Sequence, residues 1–117
     1  MGLIVKLCFL LSCGTGWHDA IAAHYADGLF ERVAARRGLP RAECYIASDW
    51  HDIGAFVLVY GQNTGRSLVC LVADVSAPKD RARHIRANQY ELSFNAAAIL
   101  CGSTKLRNDE CPIKVSR

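Results

Sequence analysis

The sequence has no proline-rich linker, no low-complexity tract and no long block of like charge. With only three prolines in 117 residues, nothing marks an internal domain boundary, and the length suits one domain. No C-x-x-C pair occurs, which argues against a structural zinc site. The four histidines, His18, His24, His51 and His84, show no metal-ligand spacing. There is no G-x-S-x-G elbow and no phosphate-binding loop. The basic run KDRARHIR lacks interleaved aromatics, and a net charge of +3 is modest, so a nucleic-acid partner is not expected. No apolar run is long enough to span a bilayer as a helix.

What is present reads as a folded globular chain. The hydrophobic fraction is 51% and the charged fraction 21%. A chain of this size buries roughly two thirds of the surface it exposes when unfolded, enough for a real core. Six cysteines stand out: Cys8, Cys13, Cys44, Cys70, Cys101 and Cys111. An even number in the folded part suggests two disulfides and an oxidising compartment. Cys101 and Cys111 bracket the polar loop GSTKLRNDE, which a bridge would staple. Cys44 would then pair with Cys70, although four cysteines allow three connectivities.

The opening MGLIVKLCFLLSCGTG is apolar over residues 2–11 except for Lys6. It reads as a short signal or leader segment over residues 1–16. Leu10-Leu11-Ser12-Cys13 is a loose lipoprotein cleavage box, so a lipid anchor at Cys13 is an alternative. Secretion or the cell envelope is the expected location. A single domain is expected over 17–117.

Strands are expected over 21–25, 44–47, 55–60, 67–73 and 112–116. The two runs AFVLVY and SLVCLVA are short, β-branched and nearly all apolar, and GQNTGR between them is a hairpin loop. The spacing of Leu29, Phe30, Val33 and Ala34 predicts a helix over 27–37. A second helix is expected over 93–100, with Ser93 as N-cap and Gly102 as its stop. Short strands with one or two short helices suggest a small β-barrel.

Asp74 is the first candidate for chemistry. It ends the apolar run 68–73, where it is a turn residue, an ion-pair partner of Arg81 or Arg83, or an acid at the lip of a cleft. Glu91 is the second. It precedes the helix cap, so the helix N-terminus should favour its ionised form. Two carboxyls in different environments divide acid and base work. Trp50, in the polar loop Ser48-Asp49-Trp50-His51-Asp52, is suited to stack on a sugar ring, and His51 to act beside it. Arg66 and Arg81 are candidate substrate contacts.

The order of these pieces resembles the double-psi β-barrel domain of the rare lipoprotein A family, related to the barrels of expansins and some lytic transglycosylases. IAAHYADGLF resembles that family's opening A-S-x-Y-G strand. GAFVLVYGQNTGRSLVCLVADV resembles its G-T-x-V-x-V … N-G-R-x-V-x-V-x-V-x-D hairpin, and YELSFNAAAILCG its I-D-L-S-x-x-A-A-x-x-L-G segment. The resemblance implies a six-stranded barrel with pseudo-twofold crossing loops, an open groove and a cell-wall polysaccharide partner. It implies that Asp74 takes part in cleaving glycan strands, with Glu91 supporting, and that no metal or cofactor is needed. Arg36-Arg37-Gly38-Leu39 stands where the family carries an N-G-E acid, and the same alignment places a loop over 27–37. A non-catalytic glycan-binding module, or a disulfide-stapled structural protein with a protein partner, is the alternative on the same fold.

Overall fold

The computed structural model describes residues 16–116. The expectations placed on the leader, on Cys8 and on a lipid anchor at Cys13 lie outside these residues. The elements, in chain order, are β1 Trp17–His24, α1 Leu29–Arg36, β2 Tyr45–Ala47, β3 Phe56–Gly61, β4 Ser67–Asp74, α2 Pro78–Ala87, β5 Gln89–Leu92, α3 Phe94–Cys101 and β6 Pro112–Ser116. A short 3-10 turn, Asn108–Glu110, leads into β6.

The six strands close into a mixed barrel in the order β1-β5-β2-β4-β3-β6. β1 runs parallel to β5, and β2 parallel to β4; the other neighbours are antiparallel. Exchanging β1, β2, β3 for β4, β5, β6 interchanges the two parallel pairings, interchanges β1–β6 with β3–β4, and maps β2–β5 and β3–β6 onto themselves.

The expected hairpin is β3–β4, with register from Phe56↔Leu71 to Tyr60↔Ser67. Its loop turns at Gly65, the one loop residue at positive φ (+72°), which costs glycine little. Alternation along β3 sends Val57 and Val59 inward and leaves Phe56 and Leu58 outside. The interior is filled by residues from all six strands, among them Ala22, Ile46, Val59, Val72, Leu92 and Val115. Helix α3 packs on this core through Ala96, Ala97 and Leu100. It passes so close to β3 that a Cβ on Gly61 would collide with the Leu100 carbonyl.

A second apolar cluster lies on the outer face of β2 and β4. Phe30 and Ala34 of α1 cover Tyr45, Ala47, Leu71 and Ala73 there. Tyr25 stacks on Phe30 with ring centroids 4.0 Å apart, extending the cluster towards β1. The helix predicted from apolar spacing over 27–37 is therefore present, and the loop that the resemblance placed there is not. The spacing was informative because Phe30 and Ala34 are one turn apart and both are buried.

Two elements depart from the expectations. The basic run after Asp74 is not only a turn but a ten-residue helix, α2, with Pro78 in its first turn and Asn88 closing it in the left-handed region (φ 51°). It buries only His84, so it carries no apolar stripe for periodicity to detect. The four-residue strand β5 was also not expected, and it is what closes the barrel between β1 and β2. Among the described residues there are thus three α-helices rather than one or two.

Both expected disulfides form. Cys44–Cys70 ties the start of β2 to β4, and Cys101–Cys111 ties the end of α3 to the start of β6. Ser93 does precede α3, but its hydroxyl makes no cap bond. It accepts the Tyr45 N–H at 3.1 Å instead, fastening the helix start to β2.

Candidate functional site

Asp74 and Glu91 lie in one row of the barrel wall, on either side of Ala47. Ala47 is opposite Asp74 on β4 and opposite Glu91 on β5. Two strand spacings separate the acids, roughly 9 to 10 Å at the backbone. A register shift between Ile46 and Ala47 brings Asp74 rather than Ala73 into this row. Ala23 continues the row on β1, so small side chains surround Glu91 on both flanks.

The two acids have different surroundings. Asp74 accepts three hydrogen bonds: from the Tyr25 hydroxyl at 2.7 Å, from Arg37 Nη2 at 2.8 Å and from the Val75 N–H at 2.9 Å. All three groups are donors and one is a guanidinium, the pattern that the lone pairs of a carboxylate satisfy. The ion-pair partner is therefore Arg37, at the end of α1, and not Arg81 or Arg83. Arg83 instead pairs with Asp80 within α2. Burial, then the hydrogen bond to Asp74 and its charge, hold the Tyr25 phenol well above the usual tyrosine range, so Tyr25 stays a donor.

Glu91 is half-buried. Burial pushes its carboxyl above the usual glutamate value, opposed by the charge of His84 and Arg83 and reinforced by that of Asp80 and Asp74. The sequence suggested the opposite direction, from the dipole of the helix that follows. Desolvation among the barrel wall and α2 outweighs it, because Glu91 sits within β5 rather than in the first turn of α3.

Three of the candidate contacts come together beside this row. Trp50, His51 and Arg81 line an open cavity of about 380 Å3, with Ser48, Asp49 and Val75. A smaller hollow of about 260 Å3 adjoins it, bounded by His18, Trp50, His51 and Tyr90. Trp50 is 37% exposed, and its ring packs on Tyr90 and His18 at centroid distances of 4.8 and 5.1 Å. The indole is thereby braced by two tilted ring contacts and stays partly exposed. Asp74 and Glu91 do not line the larger cavity; Val75 and the Ser48 N–H, which donates to the Asp74 carbonyl at 3.1 Å, connect the two places.

The loop carrying Trp50 is held by its own side chains. His51 Nε2 contacts the Ser116 carbonyl at 3.1 Å, so that nitrogen carries the proton. Its Nδ1 then accepts from the buried Ser48 hydroxyl at 2.8 Å, while the Ser48 oxygen accepts the backbone N–H groups of Trp50 and His51. His51 therefore has both nitrogens committed to the loop, as a structural anchor at the cavity wall.

Arg66 does not join this group. It ends the hairpin loop, where its carbonyl accepts the Gly61 N–H, at the far end of β4 from Asp74. Eight strand residues at about 3.3 Å each place it some 25 Å away. Its candidacy rested on charge alone, and the strand between it and Asp74 carries it to the other end of the barrel.

Tyr25, Arg37 and Ser76 were not site candidates in the sequence, Asp49 entered only as part of the loop 48–52, and His84 only as part of the basic run KDRARHIR. Asp49 accepts both the Ser76 N–H, at 3.2 Å, and the Ser76 hydroxyl, at 2.6 Å. The same hydroxyl oxygen lies 2.6 Å from Nδ1 of His84, which is 5% exposed. Tyr25 and Arg37 were in reach of sequence reasoning only if the helix between them had been docked on β4. Among the described residues no group of three or more histidine, cysteine or acidic side chains could hold a metal ion. No helix among them is long and apolar enough to cross a membrane. No family model, no curated protein and no solved structure matches the chain.

Proposed function

We propose that this chain is a double-psi β-barrel that binds cell-wall glycan and cleaves it, with Glu91 as the proton donor. The observation that carries the reading is the pair Asp74–Ala47–Glu91: two carboxyls in one row, one ringed by donors and one half-buried with its proton favoured. Carboxyls whose environments push them apart are the usual acid and base of glycoside chemistry. The exchange symmetry of the strand pairings supports the double-psi topology. Two disulfides suit a secreted or envelope protein.

In this reading Glu91 gives its proton to the glycosidic oxygen as the bond from C1 to that oxygen breaks. The sugar's own 6-hydroxyl oxygen bonds to C1, and its proton returns to the Glu91 carboxylate. The product is an anhydro-sugar end, formed without water, metal or cofactor. Asp74, with Arg37 and Tyr25, fixes the wall of the groove and supplies negative charge near the developing cation. Trp50, braced by Tyr90, stacks on a neighbouring sugar in the 380 Å3 cavity, and Arg81 contacts its polar substituents.

A second reading, a glycan-binding module without cleavage, is favoured by one specific feature. Arg37 stands where the family resemblance expects an acid, and it occupies Asp74. The two readings separate in a digest of purified peptidoglycan followed by mass spectrometry of the soluble fraction. Anhydro fragments from the native protein and from Asp74→Asn at reduced yield, but none from Glu91→Gln, support cleavage by Glu91. No fragments from any of the three, with all pelleting with the wall, select the binding module. Neither fragments nor pelleting removes the glycan reading and leaves a structural role with a protein partner.

A further inference from the structure

A cavity of about 500 Å3 has no part in the site above. It shares no lining residue with either hollow beside Trp50. Glu31 and Ala35 of α1 form one wall, the connection from Leu39 to Glu43 another, and Asn95 of α3 a third, with the buried Tyr45 of β2 between them. Its volume is in the range of small-ligand sites. Among the described residues, the side chains of Glu31, Arg41, Glu43 and Asn95 make no ion pair or hydrogen bond with the rest of the chain. The cavity thus presents two acids, a base and an amide that the fold itself leaves unused.

These side chains are exposed, but the backbone that carries them is fastened. Gly38 closes α1 at φ +71°, and the N–H groups of Gly38 and Leu39 donate to the Ala35 and Ala34 carbonyls at 3.0 Å. The Tyr45 hydroxyl donates to the Pro40 carbonyl and accepts the Ala42 N–H, each at 3.1 Å, so it grips the chain on both sides of Arg41. Cys44, next to Glu43, is bridged to Cys70. The Ser93 oxygen accepts the Tyr45 N–H, which holds the start of α3, and Asn95 with it, against β2. Phe30 and Ala34 dock α1, and so the backbone of Glu31, on the barrel. All four posts are set before a ligand arrives, which lowers the ordering cost of binding.

We propose that this cavity binds a short peptide carrying a free carboxylate and a free ammonium group. The donor fork of Arg41 matches a carboxylate. Glu31 and Glu43 accept from an ammonium. The Asn95 amide both donates and accepts, as pairing with a peptide bond requires. Ala35, Leu39 and Ala42 leave room for small apolar side chains between these groups. Opposite charges that line one cavity without meeting each other select a ligand that bears both. A simple anion would face two acids, a simple cation would leave Arg41 unmatched, and an uncharged sugar would leave all three charges unmatched.

The inference does not rest on the glycan reading, and its test uses no glycan, so failure of either leaves the other standing. The probe is the dipeptide alanyl-alanine, followed by proton–nitrogen NMR on the labelled native chain. Saturable shifts are expected over residues 31–45 and at Asn95, with the amides around Trp50 unmoved. Arg41→Gln should weaken binding of the free dipeptide about fivefold, and should change nothing for its carboxyl amide. Glu31→Gln combined with Glu43→Gln should weaken the free dipeptide by at least the same factor, and should change nothing for its N-acetyl form. All three substitutions are at exposed positions, so the variants keep the fold. The absence of saturable shifts in this segment overturns the proposal. So does a loss in Arg41→Gln that is equal for the acid and its amide, or native affinity in that variant. A dipeptide capped at both ends that binds as well as the free one overturns it too, since the cavity would then read apolar shape alone.

Discussion

Arg37 meets Asp74 across 37 residues of chain, Nη2 to Oδ1 at 2.8 Å, with the Tyr25 hydroxyl on the other carboxylate oxygen. The pair joins the last turn of α1 to the end of β4, so the acid singled out in the sequence also anchors a helix. The two donors should not contribute equally. Tyr25→Phe removes a half-buried hydrogen bond to a charged acceptor and should cost about 1.5–3 kcal/mol in urea unfolding. Arg37→Ala removes a partner that is 40% exposed and should cost no more than about 1 kcal/mol. Equal losses would mean that the guanidinium is less exposed in solution than here.

Glu91 gives a pH signature with a definite sign. Its carboxyl is raised above the ordinary 4.5 in the folded chain. The folded state therefore holds the proton more tightly than the unfolded state. This favours folding fully below about 4.5 and is lost as pH rises through the folded value. Glu91→Gln should consequently be more stable than the native protein at neutral pH, and the difference should vanish at low pH. Paired urea melts at pH 3.5 and pH 7 read it directly; a variant less stable at neutral pH would show that ionised Glu91 is well solvated.

The disulfides should differ in weight. Cys44–Cys70 closes 26 residues and Cys101–Cys111 closes 10. Loop-closure entropy gives roughly 3.5 and 2.7 kcal/mol at 25 °C. Replacing Cys44 and Cys70 by alanine should cost more than this gap suggests, since both are fully buried and the change leaves a void in the barrel. Denaturant midpoints of the two double variants test the order.

Gly61→Ala tests the contact between α3 and β3. The new methyl would meet the Leu100 backbone, which cannot rotate away as a side chain would. A loss of about 1–3 kcal/mol is expected, read as a lowered thermal midpoint with unchanged far-ultraviolet circular dichroism. An unchanged midpoint would mean that α3 shifts freely on the barrel.

Much of the barrel was legible because β3 and β4 are nearly continuous apolar runs with repeated valine and α1 buries two residues one turn apart. The strand β5 was not, since Gln89 and Glu91 break an apolar pattern in only four residues. Helix α2 hid for the opposite reason: it is basic on nearly every side and buries a histidine. The acids Asp74 and Glu91 were found by position, but the side-chain partners of Asp74 lie 37 and 49 residues upstream, and charged neighbours of Glu91 lie on α2. Such partners belong to packing, which local pattern does not encode. The reversed direction at Glu91 has the same origin, because desolvation depends on what covers a residue and the helix dipole does not.

Closure of the barrel bears on what can attach to its outside. Phe56, Leu58 and Val69 are exposed on the outer face of β3 and β4, with Leu58 directly opposite Val69. On an open sheet such residues would flank unpaired amides and invite another strand. Here each barrel strand already has a neighbour on both sides. A partner meeting this face finds these apolar side chains first, and around Val59, Tyr60 and Leu71, where the ladder pairs on both sides, it finds no backbone to zip onto, so contact there is a matter of shape and apolar surface rather than strand addition.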